Sequence, residues 1–240
     1  MPCSPGNLCG RGAQQRGLCM RIVVLGASGG VGKQLLVEAH AAGHDVVAVG
    51  RPSSDIEQGP WAVERGVLDD ETFLTRCLQG ADAVLSGLGS RLPGIAPWHR
   101  LEQPGFLAAS TKALVAAART TGTRRIVVVS AAGVGDSFPH VPGFFKVFIK
   151  TTALRHAYAE LAQMERILLD SGLEVLIARP PGLSHGPKTG RGKIVTEFAG
   201  RNSISRADVA AWMASFVSGP LPTQRTPLVG EAVESDVAGR

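Results

Sequence analysis

Cysteine is scarce in this sequence and poorly placed for cross-linking: Cys3, Cys9 and Cys19 fall in the first 19 residues, and only Cys77 lies beyond them. One remaining thiol builds no disulfide framework, which points to the cytoplasm. The spacing of the other three matches no zinc pattern with paired close ligands. The histidines at 40, 44, 99, 140, 156 and 185 share no helical face at metal-ligand spacing, so no metal site is expected. No stretch reaches the roughly 18 apolar residues of a membrane span, so the chain reads as neither integral nor anchored. Aromatics make up only 5% of the residues, with a single tyrosine, Tyr158. The 25 Lys and Arg exceed the 20 Asp and Glu for a net charge of +5, but they are scattered rather than run together. That pattern argues against a nucleic-acid partner. A mild positive field still suits an anionic small ligand.

What is abundant is apolar residues, at 44%, together with 30 glycines, a balance that suits helices packed closely on a sheet. Residues 1–19, MPCSPGNLCGRGAQQRGLC, offer little to bury and are expected to form a disordered tail. Met20 directly precedes the first strand-like run and is read as a candidate native start, which N-terminal sequencing of natural protein would check. From there RIVVL (21–25) leads through a glycine turn into Val31, Leu35 and Ala39 at helical spacing, and HDVVAVG (44–50) follows as a second apolar strand. The alternation continues with strands over 62–67, 81–86, 125–130 and 173–178, and helices over 70–78, 107–120 and 154–171. Alternating strands and helices predict an α/β, doubly wound parallel sheet of Rossmann type, as one domain over 20–240. After Arg179 the Gly- and Pro-rich PPGLSHGPKTGRGK and a helix over 206–217 form a small C-terminal, substrate-side extension.

In such a sheet the first strand-to-helix turn receives a pyrophosphate, and here it reads Gly26-Ala27-Ser28-Gly29-Gly30-Val31-Gly32. Gly26 permits the tight turn, Gly29 and Gly30 let backbone approach the phosphates, and Gly32 allows the helix close to the sheet. Ser28, Val31 and the helix N-terminus complete the phosphate-binding segment. After the second strand an NAD site needs an acid for the ribose hydroxyls, whereas an NADP site uses Arg for the 2′-phosphate. The sequence has Gly50-Arg51-Pro52-Ser53-Ser54 there, so Arg51 and Ser53 favour NADP(H). Asp69 either accepts from the adenine amino group or caps the following helix. Gly87-Leu88-Gly89, after the fourth strand, lets backbone pass beside the cofactor.

GASGGVG, Arg51, ADAVLSGLG, RIVVVSAAG and the block from Met164 through Gly172-Leu173 to Arg179-Pro180-Pro181 together resemble the atypical short-chain dehydrogenase/reductase family, over about residues 20–228. The likeness is to its NAD(P)H-binding branch, with biliverdin and flavin reductases and NmrA-like proteins. It implies a Rossmann-type fold, a nicotinamide cofactor and an active-site serine at Ser130. The sequence departs from standard short-chain dehydrogenases at their Tyr and Lys pair: four residues after Tyr158 stands Ala162. Tyr158 shares a stripe with Leu154, Leu161 and Leu168 and reads as packing. Without the pair, an acceptor with delocalised electrons that takes its proton from water fits better than a simple ketone. Expected functions are thus an NADPH-dependent reductase of a flavin, quinone or tetrapyrrole type acceptor, or a cofactor sensor with a regulatory protein partner. A nucleotide-sugar epimerase or dehydratase fits less well. Phe138, Phe144, Phe145 and Phe148 either wall a pocket for a flat apolar molecule or form an amphipathic helix. His156 is a candidate proton donor.

Overall fold

The computed structural model describes residues 19–196 and 203–231, so the predicted tail, apart from Cys19, lies outside the described residues. The chain runs β1 (Arg21–Leu25), α1 (Gly30–Ala41), β2 (Asp45–Gly50), β3 (Ala62–Arg65), α2 (Glu71–Cys77), β4 (Ala83–Ser86), α3 (Phe106–Thr121) and β5 (Arg125–Val129). It continues through a tight 3-10 turn at Gly135–His140 to α4 (Gly143–Thr151), α5 (Leu154–Leu169) and β6 (Glu174–Ala178). These six strands form one parallel sheet in the order β3-β2-β1-β4-β5-β6. That is the doubly wound Rossmann order, and its reversal point lies between β1 and β4.

Successive residues of each central strand point to opposite faces, and both faces are buried, which is why these strands read as unbroken apolar runs. Ile22, Val24, Leu85, Val127 and Leu176 pack with α1 and the C-terminal helix on one side of the sheet. Val23, Leu25, Val84, Ile126 and Ile177 pack with α2, α3 and α5 on the other. β3, at the sheet edge, is only half-buried.

Beyond β6 come β7 (Leu183–Ser184), β8 (Gly192–Val195), β9 (Ile204–Ser205), α6 (Arg206–Ala214) and β10 (Leu228–Glu231). β7 pairs with β9 in parallel, and β8 with β10 antiparallel. Asp208 joins this extension to α6. Its carboxylate accepts from the Ser205 hydroxyl at 2.6 Å, from the Gly190 N–H at 2.7 Å and from the Thr189 N–H and hydroxyl at 3.0 Å.

Charge also fixes the loops at the carboxyl ends of β5 and β6. Arg179 is buried after β6, donates Nε and Nη2 to the buried Glu165 of α5 at 3.0 and 2.5 Å, and donates Nη1 to Asp136 at 2.6 Å. Two-point contact with a carboxylate holds the guanidinium in one orientation, and Asp136 ties the loop after β5 to the same point. Glu160 of α5 reaches the start of α3, where it accepts from the Gly105 N–H at 2.6 Å and the Leu107 N–H at 3.2 Å. A carboxylate there satisfies helix-start donors that no local side chain caps.

Candidate functional site

The reversal point between β1 and β4 is built from three glycines. Gly26 leaves β1 with φ +72°, a left-handed conformation that side chains with a Cβ resist. A Cβ at Gly32 would collide with the Gly26 carbonyl, and one at Gly87 would stand 2.8 Å from the Gly32 nitrogen. Glycine at all three positions lets α1 begin directly over β1 and the chain after β4 pass beside it. Gly29 occupies the N-cap position of α1, and no side chain caps that helix. Its first N–H groups therefore remain free for an anion.

A cleft opens at this junction. Gly26, Ser28 and Gly29 form one wall, Gly87, Leu88, Gly89, Ser90 and Arg91 another, and Gly50, Arg51 and Ser54 its far end. Ser90 Oγ is buried and has no hydrogen-bond partner among the described residues. Arg51 donates Nη1 to Gln103 Oε1 at 3.3 Å, so it spans the boundary with a neighbouring groove of about 640 Å³. That groove holds Ser53 and Asp69, both exposed.

Most of the candidate residues thus meet at one place, with some redistribution. Gly30 faces away from the cleft: a Cβ there would meet Cδ and Nε of Arg206 at 2.8 Å, so its smallness serves α6. Val31 is a buried core residue of α1, and Gly32 serves the junction. Of the two serines after Arg51, Ser54 lines the cleft and its hydroxyl accepts from the Arg51 N–H at 3.1 Å. The helix cap is Asp70, whose Oδ1 accepts from the Thr72 N–H at 2.8 Å, which leaves Asp69 clear of that duty. Glu102, Gln103 and Phe106 also line the cleft. Glu102 and Gln103 belong to the irregular segment before α3, which carries no periodic signal in sequence, and Phe106 is the first residue of that helix.

Ser130 lies at the carboxyl end of β5 and is buried; its N–H donates to the Ala178 carbonyl at 2.7 Å, while its Oγ has no partner among the described residues. The Tyr158 hydroxyl donates to the nearby Ala132 carbonyl at 3.2 Å, and burial pushes its pKa up, so it stays protonated. His156 lies in the first turn of α5, with Nε2 3.0 Å from Arg100 Nη1. Desolvation and the charges of Arg155 and Arg100 lower its pKa, so it is neutral near pH 7. Phe144, Phe145 and Phe148 fall in α4, where only Ile149 is buried and Phe144 points to solvent, whereas Phe138 lies in the 3-10 turn before it.

The described residues fit a dinucleotide. An uncapped helix start, a glycine-lined wall and an orphaned hydroxyl together offer donors to phosphates and sugars without side chains in the way. The NAD(P)H-binding family matches residues 26–220, and the chain belongs to it. The fold is that of an NAD(P)-binding Rossmann-type oxidoreductase. Among curated proteins the chain is similar to a 3-diazoavenalumate denitrifying reductase of Streptomyces, 31% identical over 71% of this chain and 58% of that protein. The chain spans a little over half the length of the curated relatives it matches. Among solved structures it is similar to ChuY, an anaerobillin reductase of Escherichia coli, with a TM-score of 0.69, 24% identity, and 88% of this chain and 97% of that one covered. A short-chain dehydrogenase/reductase of Veillonella parvula in complex with NADP gives a TM-score of 0.68 at 20% identity, covering 89% of this chain and 95% of that one. Both structural likenesses are of fold.

Proposed function

We infer that the protein is an NADPH-dependent reductase that delivers hydride to a conjugated or aromatic acceptor. The observation that carries this reading is the position of Arg51 at the far end of the glycine-walled cleft, with Ser54 and Gln103 beside it and no carboxylate paired to it among the described residues. A 2′-phosphate there would meet a guanidinium, whereas the stretch directly after β2, Gly50 to Ser54, offers no acid for the hydroxyls of a plain ribose. Gly26, Ser28 and Gly29 would hold the pyrophosphate, Asp69 the adenine side, and Gly87, Leu88 and Gly89 the approach to the nicotinamide. Ser130, with its hydroxyl uncommitted, would hydrogen-bond the nicotinamide amide or the acceptor.

The cofactor supplies the hydride when bound. Tyr158 supplies no proton, since its hydroxyl is committed to Ala132 and the lysine partner is missing. A conjugated acceptor tolerates this, because the electron pair enters a delocalised system and the proton follows from water. The names of the Streptomyces and Escherichia relatives, both reductases, agree with this direction of chemistry.

NADPH oxidation followed at its absorbance band, with flavin, quinone and tetrapyrrole acceptors, tests the reaction. Turnover of at least one is expected; tight NADPH binding with no acceptor reduced above background would favour a cofactor-sensing regulatory role instead. For the cofactor, Arg51→Ala is expected to weaken NADPH by about 2 kcal/mol, roughly thirtyfold in Kd, and to leave NADH nearly unchanged. Equal losses for both would remove the 2′-phosphate assignment.

A further inference from the structure

An ordinary surface helix buries one stripe and turns a polar stripe to water. α4 does the reverse on its outer side. Phe144, Val147 and Phe148, at i, i+3 and i+4, form an outward apolar stripe, with Phe144 77% and Val147 60% exposed. Ile95 and Trp98, 54% and 77% exposed, extend the patch on the loop after β4. The loop is fastened just beyond α4, at the start of α5: the Ala153 N–H donates to the Ile95 carbonyl at 3.0 Å, and Arg155 Nη2 to the Pro97 carbonyl at 3.1 Å. The patch is therefore a set surface, formed where loops from β4 and β5 meet.

Its charges have one sign. Arg100, Lys146, Lys150 and Arg155 belong to these segments or follow directly on α4, and none forms an ion pair among the described residues. Their visible partners are neutral: Lys146 donates to the Pro139 carbonyl at 2.7 Å, Lys150 lies 5.5 Å from the centre of the Phe138 ring, and Arg100 meets His156. Of the other charged residues of the same segments, Asp136 is paired with Arg179, and Arg91 and Glu102, one of each sign, both line the cofactor cleft.

We propose that the outer stripe of α4, with Ile95 and Trp98, docks on the surface of an anionic lipid bilayer, the apolar side chains entering the headgroup boundary and the four cations meeting lipid phosphates. Protruding aromatic and aliphatic side chains on a helix whose charged residues are all Lys are the composition of an interfacial helix. No helix among the described residues is long and apolar enough to cross a membrane, so the contact is peripheral. A second copy of the chain fits poorly, because a twofold contact would set these cations against themselves. The contact is independent of turnover, although it lies at the carboxyl end of the sheet, where an apolar acceptor would arrive.

The test is co-sedimentation of the full chain with phosphatidylcholine vesicles, with and without phosphatidylglycerol, at low and high salt. Partitioning about tenfold or more in favour of the anionic vesicles, lost at high salt, is expected. Phe144→Ser with Val147→Ser, and separately Lys146→Glu with Lys150→Glu, should each lower it about tenfold while NADPH affinity and the thermal midpoint stay unchanged. Three results overturn the proposal: no binding at low salt, equal binding to both vesicle types, or folded variants that bind like the parent. A dimer in sedimentation equilibrium that Phe144→Ser dissociates would equally overturn it, by assigning the patch to a second copy.

Discussion

At the scale of single residues, the glycine turn shows how one motif divides its labour. The spacing identified the turn, but the purpose of each glycine depends on atoms far away in sequence. Gly30 is small because Arg206 of α6 lies across it, and Gly32 because the Gly26 carbonyl lies beneath it. A methyl group at Gly32 has only backbone to displace, and rigid backbone yields at a cost. Gly32→Ala is therefore expected to destabilise the fold by about 3 kcal/mol and to abolish tight cofactor binding, as read by denaturant unfolding and NADPH titration. An alanine variant as stable as the parent would contradict this geometry. Local conformation likewise separated Ser54 from Ser53: the Ser54 N–H closes a turn onto the Arg51 carbonyl at 2.9 Å, and its hydroxyl faces back to Arg51.

At the scale of elements, the central strands were legible because burial on both faces leaves an unbroken apolar run, and α1 because its buried residues recur at helical spacing. The segment before α3 was not legible, since its shape depends on contacts such as Glu160 holding the start of that helix. The C-terminal extension depends in the same way on Asp208. Burial opposes its ionisation, but hydrogen bonds from Ser205, Thr189 and Gly190 outweigh this and hold its pKa below the usual value. The folded state thus binds the proton less readily than the unfolded chain. Its stabilisation is complete above the unfolded carboxylate value, about pH 4, and is lost as pH falls through the folded value. Urea unfolding at neutral pH and near pH 3 should show this loss, and Asp208→Asn should lower neutral-pH stability while flattening the acid limb. An unchanged acid limb in the variant would place the acid sensitivity elsewhere.

At the scale of the whole molecule, the cofactor cleft brings together the ends of β1, β2 and β4 and the segment leading into α3. A ligand that joins these pieces in the folded state alone must stabilise it by mass action. At about one hundred times its Kd, NADPH is expected to add about 2.7 kcal/mol, a rise of roughly 8 °C in Tm for a chain of this size. NADH at the same concentration should give a smaller rise. A thermal scan with equal shifts for the two would count against the role of Arg51.

The sequence by itself determined a doubly wound parallel sheet, the glycine turn and the presence of Arg51 just after β2, because each depends on short-range periodicity or on a residue's place beside a strand end. Tertiary structure alone decided which of Ser53 and Ser54 lines the cleft, the Arg206 contact, the pairing of Glu165 with Arg179, and the joining of the Ile95 loop to the start of α5. These are meetings of side chains many residues apart, and no local spacing encodes which of them will touch.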